Sequence, residues 1–217
     1  RGEGFSQMHG NLVTKKIVVH PGVGAASLFA AEHAAIETAC GVEVGDVVTG
    51  SITEFVDPTT QQPDATLVDG VSGALTFVDV DLNDTHTVSV VDAVLDPVAD
   101  TSGVLISDGG ASPVQVVAHY VDASGNAVTL DGALLTDVEM VVQASTFVVN
   151  DAATDTTGGL NGQLNWNYSV LDSKFAFLAQ GEKLTLTYSV QVTDSTGAVS
   201  GVQDVTISVV GTNDTPL

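Results

Sequence analysis

A strict alternation of apolar and polar residues is the feature that most limits what this chain can fold into. From Leu184 to Val192 every second residue is Leu, Tyr or Val, while Thr, Ser and Gln fill the positions between them. The same alternation occurs at 164–170 and at 205–209. Because successive side chains of a strand point to opposite faces, each segment predicts a strand with one buried and one solvated face, which is typical of an antiparallel sheet.

Short polar segments rich in Asp and Gly separate the predicted strands. They lie at 108–110 (DGG), 122–126 (DASGN) and 194–197 (DSTG), and each is a turn motif. The spacing predicts an all-β fold, an antiparallel β-sandwich of immunoglobulin- or cadherin-like type with about nine strands. Since such a unit has about 100 residues, we expect an enlarged middle region at 91–150, built from extra hairpins or an inserted lobe.

The first 46 residues have a different composition from the rest of the chain. Residues 25–40 are rich in Ala, with Gly22 and Gly24 before them and Gly41 after them, which predicts one short N-terminal helical segment. We therefore divide the chain into a leader, or part of a preceding segment, at 1–46 and a β-sandwich domain at 47–217.

The charge of the chain excludes two classes of partner. Asp and Glu total 27 against 5 Lys and Arg, so the formal net charge is -22. Nucleic acids and anionic membranes would repel such a chain, because binding to either requires Lys and Arg. With 44% hydrophobic residues the chain has enough apolar surface to fold, which disfavours intrinsic disorder.

The sequence also limits targeting and covalent cross-linking. Cys40 is the single cysteine, so no intramolecular disulfide can form. The sequence contains no run of 18 apolar residues, so we expect no transmembrane helix and no membrane insertion. An apolar stretch at 17–31 follows Lys15 and Lys16, but His20, Pro21 and several glycines interrupt it, which disfavours a signal peptide.

The strongest candidate for a binding site is the acidic segment DVDLNDTH at 79–86. It follows a predicted strand, and Asp79 and Asp81 are two residues apart, so they project to the same side of extended backbone. Together with Asp84 they offer oxygen ligands for Ca²⁺, which takes six to eight oxygens, whereas Mg²⁺ retains most of its water. The alternative is an Asp-rich turn that only caps a hairpin.

Two distant segments are candidates to complete this calcium site. Glu54 ends an early predicted strand, and Asn213 and Asp214 follow the last one. The first and last strands of a sandwich often approach the same end, so the segments can converge; otherwise each is a solvated loop residue. Looser acidic groups with the same alternatives, a second calcium site or a solvated surface, lie in two other places: Asp57, Asp64 and Asp69, and Asn150, Asp151 and Asp155.

Four segments of the chain resemble the VCBS repeat of giant bacterial surface proteins. They are GALTFVDVDLNDTHTVSV at 73–90, LNWNYSV at 164–170, FLAQGEKLTLTYSVQVTD at 177–194 and VTISVVGTNDTP at 205–216. The resemblance covers roughly residues 47–217. It departs from the family pattern in the long middle stretch and throughout residues 1–46.

The resemblance implies a calcium-binding extender domain of a secreted or cell-surface adhesin of the repeats-in-toxin type. Such a domain has neighbouring repeats of the same chain as partners, and type I export carries it to the extracellular face of the cell. Carried over by position, the resemblance implies Glu54, Asp79, Asp81 and Asp214 as Ca²⁺ ligands, with Asp84 and Asn213 as weaker candidates.

Two other classes of function are alternatives to a calcium-binding extender domain. The first is a ligand-binding module of an adhesin, in which the 91–150 region binds a host or surface glycan, or a peptide of a protein. In the second the chain is an enzyme, but aromatic residues make up only 5% of it, and no nucleophile motif surrounds Cys40. Trp166 and Tyr168 lie in the inward-facing register and are predicted core residues. We therefore expect no enzymatic activity.

Overall fold

The computed structural model describes residues 43–44, 48–55, 57, 64–78, 85–96, 98, 100–154 and 161–213. All of them lie in the compact unit Cys40–Leu217. The helix predicted at 25–40 lies outside the described residues. The strands are β1 Glu43–Val44, β2 Val48–Thr53, β3 Val68–Val78, β4 His86–Val91, β5 Val104–Ser107, β6 Gln115–Val121, β7 Ala127–Val128, β8 Thr146–Thr154, β9 Asn161–Leu171, β10 Lys183–Asp194 and β11 Gln203–Val210.

The strands form two sheets that enclose one apolar core. The smaller sheet has the order β1-β3-β9-β8; the larger has the order β2-β11-β10-β6-β5, with β4 also paired to β10 and β7 to β6. The inward-facing residues of the alternating segments fill the space between the sheets, and Trp166 and Tyr168 are each 1% exposed. The predicted all-β sandwich is confirmed, and so is the prediction that these two aromatic residues belong to the core.

One strand pair differs from the antiparallel pattern. β2 pairs with β11 in parallel, from Val48 opposite Val205 to Thr53 opposite Val210. The other pairs among the described strands are antiparallel. The first and last strands of the larger sheet are therefore hydrogen-bonded neighbours that run in the same direction.

The enlarged middle region contains a helix that was not predicted. Helix α1, Gly132–Ala144, packs against β5, β9 and the short 3₁₀ helix Asp172–Phe175. Its buried residues are Val138, Val141 and Val142, which lie three or four positions apart and form one face of a helix. The prediction of hairpins or a lobe missed this helix, although Leu134 and Leu135 extend the same spacing.

The predicted turns at 122–126 and 194–197 are present. In each, a glycine amide donates to the carbonyl of the leading aspartate, from Gly125 to Asp122 at 2.9 Å and from Gly197 to Asp194 at 3.2 Å. Both glycines have positive φ angles, 86° and 92°, which glycine adopts without a steric penalty. The aspartate side chain accepts further backbone amides of the turn, as in Asx turns.

The sandwich has two ends, which are named here by the residues they hold. At the Glu54 end β2, β9 and β11 finish and β3 and β10 begin; at the His86 end β3 and β10 finish and β4 begins. β1 pairs with the last two residues of β3, Phe77 and Val78, so it lies at the His86 end. The described chain thus enters the sandwich at the His86 end and leaves it, after β11, at the Glu54 end.

Candidate functional site

Glu54 and the segment after the last strand meet at the Glu54 end. The Glu54 side chain is 2% exposed, and its Oε2 accepts a hydrogen bond from the backbone N–H of Thr212 at 3.0 Å. Its own amide donates to the Val210 carbonyl at 3.0 Å. Asn213 follows Thr212 and is exposed. The convergence of the two segments is therefore found, while their role as Ca²⁺ ligands stays a prediction.

The other predicted ligands, Asp79, Asp81, Asp84 and Asp214, lie outside the described residues. The strand that precedes Asp79 is nevertheless informative. β3 has 11 residues, at about 3.3 Å each, and it runs from the Glu54 end to Val78 at the His86 end. Glu54 and Val78, the residue that precedes Asp79 in the sequence, are thus separated by about the length of the sandwich.

A buried aspartate that the sequence analysis did not single out organises the Glu54 end. Asp172 is 0% exposed. Its Oδ1 accepts the backbone N–H of Phe55 at 2.9 Å and its Oδ2 that of Asp64 at 2.8 Å, while its own amide donates to the carbonyl of Leu67 at 3.1 Å. One carboxylate therefore ties the end of β2 and the start of β3 to the end of β9. The signal was its position, since Asp172 continues the inward-facing series of Leu164, Trp166, Tyr168 and Val170.

Asp69 lies next to Asp172 and shares its environment. Partial burial, followed by the neighbouring Asp172 carboxylate, raises the pKa of Asp69 to about 6. Asp64, of the same predicted acidic group, instead accepts hydrogen bonds from Thr66, mainly from its backbone N–H, which lower the pKa of Asp64. The structure thus brings Asp64 and Asp69 to the end that holds Glu54 and adds Asp172 to them.

The side-chain atoms at the Glu54 end that could coordinate a metal ion are all oxygens, which suits a hard cation such as Ca²⁺. Within the part of the chain that the structure describes, however, no three His, Cys, Asp or Glu side chains are grouped closely enough to hold a metal ion. Glu54 and Asn213 would accordingly serve as part of a larger set of oxygen ligands, in which a bound Ca²⁺ would supply positive charge to neutralise carboxylates.

A cleft of about 200 Å³ is lined by residues of helix α1, of the larger sheet and its β5–β6 loop, and of β8 in the smaller sheet. Its apolar wall consists of Val90, Val114, Val142 and Phe147. Its polar residues are Asp108, Ser112, Ser145 and Tyr188. The rings of Phe147 and Tyr188 stack with centroids 4.3 Å apart and an angle of 17° between their planes. Most of the cleft residues come from the 91–150 region, which the sequence marked as enlarged.

The polar groups of the cleft are held by hydrogen bonds. Ser145 Oγ donates to the Val142 carbonyl at 2.9 Å and lies 3.1 Å from the Tyr188 hydroxyl. Asp108 Oδ1 accepts the backbone amides of Gly110 and Val114, both at 3.1 Å. Burial raises the pKa of Tyr188 to about 12, and the negative charge of Asp108 adds to this rise.

The two described histidines occupy sheet positions, His86 in β4 and His119 in β6. His86 is 7% exposed and its ring lies 4.7 Å from that of Phe77, between centroids. His119 Nε2 lies 3.1 Å from Asp100 Oδ1. Among the described residues no helix is both long enough and apolar enough to cross a membrane.

Comparison with known proteins gave distant structural likenesses. No family model and no curated protein matches the chain. The CooA pilin subunit of enterotoxigenic Escherichia coli has a TM-score of 0.35 and 11% identity, covering 79% of this chain and 98% of its own. CfaE, the adhesive subunit of CFA/I fimbria of the same bacterium, has a TM-score of 0.29 and 10% identity, covering 79% of this chain and 49% of its own.

A family 123 glycoside hydrolase from Clostridium perfringens has a TM-score of 0.31 and 10% identity, covering 82% of this chain and 28% of its own. With every TM-score below 0.5, these likenesses carry no argument about function. The class of the protein is therefore the one that its own strands define, a two-sheet β-sandwich.

Proposed function

We propose that this chain is a non-enzymatic, calcium-binding spacer domain of a bacterial cell-surface or secreted adhesin. In such a protein, similar domains follow one another along the chain and hold a binding region away from the cell. The resemblance to VCBS repeats suggests this role, and type I export would bring the protein to the outside of the cell.

One observation carries the proposal. The chain enters the sandwich at the His86 end, where β1 pairs with the end of β3, and leaves it at the Glu54 end after β11. Its longest strands, β3, β9 and β10, run between these ends. Domains joined in series would therefore add their full length to the array, about 40 Å each at 3.3 Å per strand residue.

Small-angle X-ray scattering of a chain with two copies of residues 40–217 joined directly tests this arrangement. We expect its maximum dimension to be nearly twice that of one copy in millimolar Ca²⁺. A control with a 20-residue Gly/Ser linker between the copies should give a broad distance distribution, because such linkers behave as random coils. Two directly joined copies that lie side by side, with a maximum dimension close to that of one, would exclude a spacer function.

Calcium has a defined place in this proposal. Ions bound by the carboxylates at the two ends would neutralise their repulsion and restrict the segments that lead to the neighbouring domains. Glu54 and Asn213 would act at the Glu54 end. Asp79, Asp81 and Asp84 belong to the segment that follows β3, and Asp214 to the one that follows β11. The proposal thus assigns calcium to both junctions of the domain.

The cleft supports a second proposed function, a binding module of the same kind of adhesin. It is formed largely by the region that exceeds an ordinary immunoglobulin-like sandwich. A glycan or a peptide side chain is of suitable size for about 200 Å³. Spacer and binding functions are compatible, because the cleft is lined by residues of the sheet face and helix and by none of the end residues Glu54, Asp172 or His86.

A further inference from the structure

The hydroxyl hydrogens of two cleft residues, Ser145 and Tyr188, are already used in hydrogen bonds within the protein. Ser145 has one hydroxyl hydrogen, which it donates to the Val142 carbonyl. The hydrogen of the Ser145–Tyr188 bond must then come from Tyr188, and a hydroxyl has only one to give. Both oxygens consequently face the cleft with lone pairs alone. They can accept hydrogen bonds from a ligand but have none left to donate.

Asp108 adds a carboxylate to these acceptors. Its Oδ1 accepts two backbone amides, and a carboxylate has about four lone-pair sites, so acceptor capacity remains. Among the described residues that line the cleft, none is Lys, Arg or His, and the one charged side chain is that of Asp108. The cleft is therefore negative, in a chain whose formal net charge is -22. An anionic ligand is disfavoured, and a ligand that brings both positive charge and several donors is favoured.

The rest of the wall is apolar. Val90, Val114, Val142 and Phe147 surround the space beside the oxygens, and a short hydrocarbon chain fits such a surface. A volume of about 200 Å³ accommodates four methylene groups and an ammonium. The side chain of lysine combines these parts, since it has three donors, no acceptor and a four-carbon stem.

We propose that the cleft binds a primary ammonium group on a hydrocarbon stem, the side chain of a lysine presented by a partner protein. The ammonium would donate to the Asp108 carboxylate and to the oxygens of Tyr188 and Ser145, with the stem against Val114 and Val142. This inference rests on the second proposed function and is independent of the spacer function and of calcium.

Amide chemical shifts in the ¹⁵N-labelled 217-residue chain test the proposal. The probes are Nα-acetyl-lysine-N-methylamide and its norleucine counterpart, which has a similar stem without the ammonium. We expect the lysine probe to shift amides around Asp108, Ser145 and Tyr188 at millimolar concentration, and the norleucine probe to bind at least tenfold more weakly. Equal effects of the two probes would overturn the ammonium assignment.

Two variants make the test specific. Asp108→Asn keeps the Oδ1 acceptor for the amides of Gly110 and Val114 but removes the charge, and should weaken binding of the lysine probe at least tenfold. Ser112→Lys places an ammonium of the chain's own at the exposed rim and should abolish binding. Asp122→Asn, in a turn outside the cleft, is the matched control and should bind like the parent chain. Unchanged binding in Asp108→Asn would overturn the proposal.

A panel of neutral monosaccharides distinguishes failure of the lysine proposal from failure of the second proposed function, the binding module. If a sugar shifts the cleft amides and the lysine probe does not, the ammonium assignment is wrong and the binding function stands. If neither the sugars nor the lysine probe shift these amides, the binding function is overturned as well. A melting temperature within 2 °C of the parent's, about the effect of 0.5 kcal/mol in a domain of this size, shows that each variant is folded.

Discussion

Asp172 shows how a single charged residue can be part of a hydrophobic sandwich. An apolar side chain at this inward-facing position would leave the amides of Phe55 and Asp64 without the acceptors they have in the structure. Amides that lose their acceptors inside a protein cost free energy. That cost exceeds the free energy gained by removing a hydrogen-bonded carboxylate from its buried position. The residue therefore fixes the segment between β2 and β3 at the end of the domain that holds Glu54.

Replacement of Asp172 by Ala should lower the free energy of unfolding by about 3 kcal/mol, because two amides lose a charged acceptor in a buried position. Asp172→Asn keeps one acceptor oxygen and should cost less. Urea unfolding followed by circular dichroism measures both. The control is Asp122→Ala, which removes a carboxylate that also accepts two amides, but in an exposed turn. A loss for Asp172→Ala no larger than that of the control would contradict this role.

Asp69 predicts a pH dependence whose sign follows from its raised pKa. The unfolded chain releases this proton near pH 4, whereas the folded chain retains it up to a pKa of about 6. The folded state binds more protons between these values, so its stability falls as the pH rises from 4 to 6. Above pH 6 the loss is complete, because the ionised Asp69 then lies beside Asp172.

Asp69→Asn should remove this fall. The variant should be more stable than the parent at pH 7, by about 1 kcal/mol since water partly screens Asp69, and equal to it near pH 4. Urea midpoints at half-unit steps from pH 4 to 7.5, taken as the difference between the two chains, isolate the contribution of this residue. A constant difference across the range would show that Asp69 does not titrate near pH 6.

At the scale of elements, close backbone approach explains how the two sheets accommodate large aromatic rings. Trp166 of β9 lies across Gly73 of β3, where an added Cβ would be 2.5 Å from the indole ring. Gly50 of β2 faces the same ring, with an added Cβ 3.0 Å away. Phe77 of β3 lies against Gly162 of β9 in the same manner. These strands therefore need glycine where a ring covers the backbone.

Gly73→Ala should destabilise the domain by about 2 kcal/mol, the usual cost of adding a methyl group to a filled core. The matched control is Gly201→Ala, where an added Cβ meets no atom within 4 Å, and it should leave the stability unchanged. Thermal melts followed by tryptophan fluorescence report on both, because Trp166 is the single tryptophan. Equal melting temperatures of the two variants would mean that the packing of the Trp166 indole does not require glycine at position 73.

The elements themselves were largely predictable from the sequence, and their pairing was not. Alternation located β9, β10 and β11, and short segments rich in Asp and Gly located the turns between β6 and β7 and between β10 and β11, because each of these patterns is local. The parallel partnership of β2 and β11 joins residues far apart in the sequence, and alternation shows which face is buried but not which strand lies beside it. Helix α1 was readable from its spacing and was missed.

The candidate sites divide in the same way. Convergence of Glu54 with the segment after β11 was predictable, because it follows from where strands end in a sandwich. The cleft combines residues from β4, the β5–β6 loop, α1, β8 and β10. Contacts among segments so far apart cannot be read from residue spacing. Asp172 was partly predictable. Once the inward-facing register of β9 is known, the sequence shows that a carboxylate occupies a buried position.

At the scale of the whole molecule, the excess of negative charge predicts a response to calcium. A Ca²⁺ concentration 100 times the dissociation constant would stabilise the folded state by about 2.7 kcal/mol per site. We therefore expect excess EDTA to lower the melting temperature by several degrees, and NaCl of equal ionic strength not to replace Ca²⁺. An identical melting curve in EDTA and in 5 mM Ca²⁺ would refute the calcium proposal.

Variants at Glu54 and in the segment after β3 separate their proposed contributions to the stabilisation by calcium. Glu54→Gln keeps an oxygen acceptor for the amide of Thr212 but removes the charge. It should reduce the stabilisation by calcium, and it should change the stability in EDTA by less than that reduction. Asp79→Asn with Asp81→Asn does the same for the segment after β3. Because Glu54 and Val78, the last residue of β3, lie at opposite ends of the sandwich, we expect the losses of the Glu54 variant and of the double variant to be additive. Strong non-additivity would indicate a single shared site.

The parallel pairing of β2 with β11 has a mechanical consequence. Tension along an array would pull on β2 from the His86 end and on β11 from the Glu54 end, after the two-residue strand β1 has detached. Because the two strands are neighbours and run in the same direction, this tension slides one past the other. All the hydrogen bonds from Val48–Val205 to Thr53–Val210 are then sheared together, whereas strands peeled apart from one end would lose them one at a time.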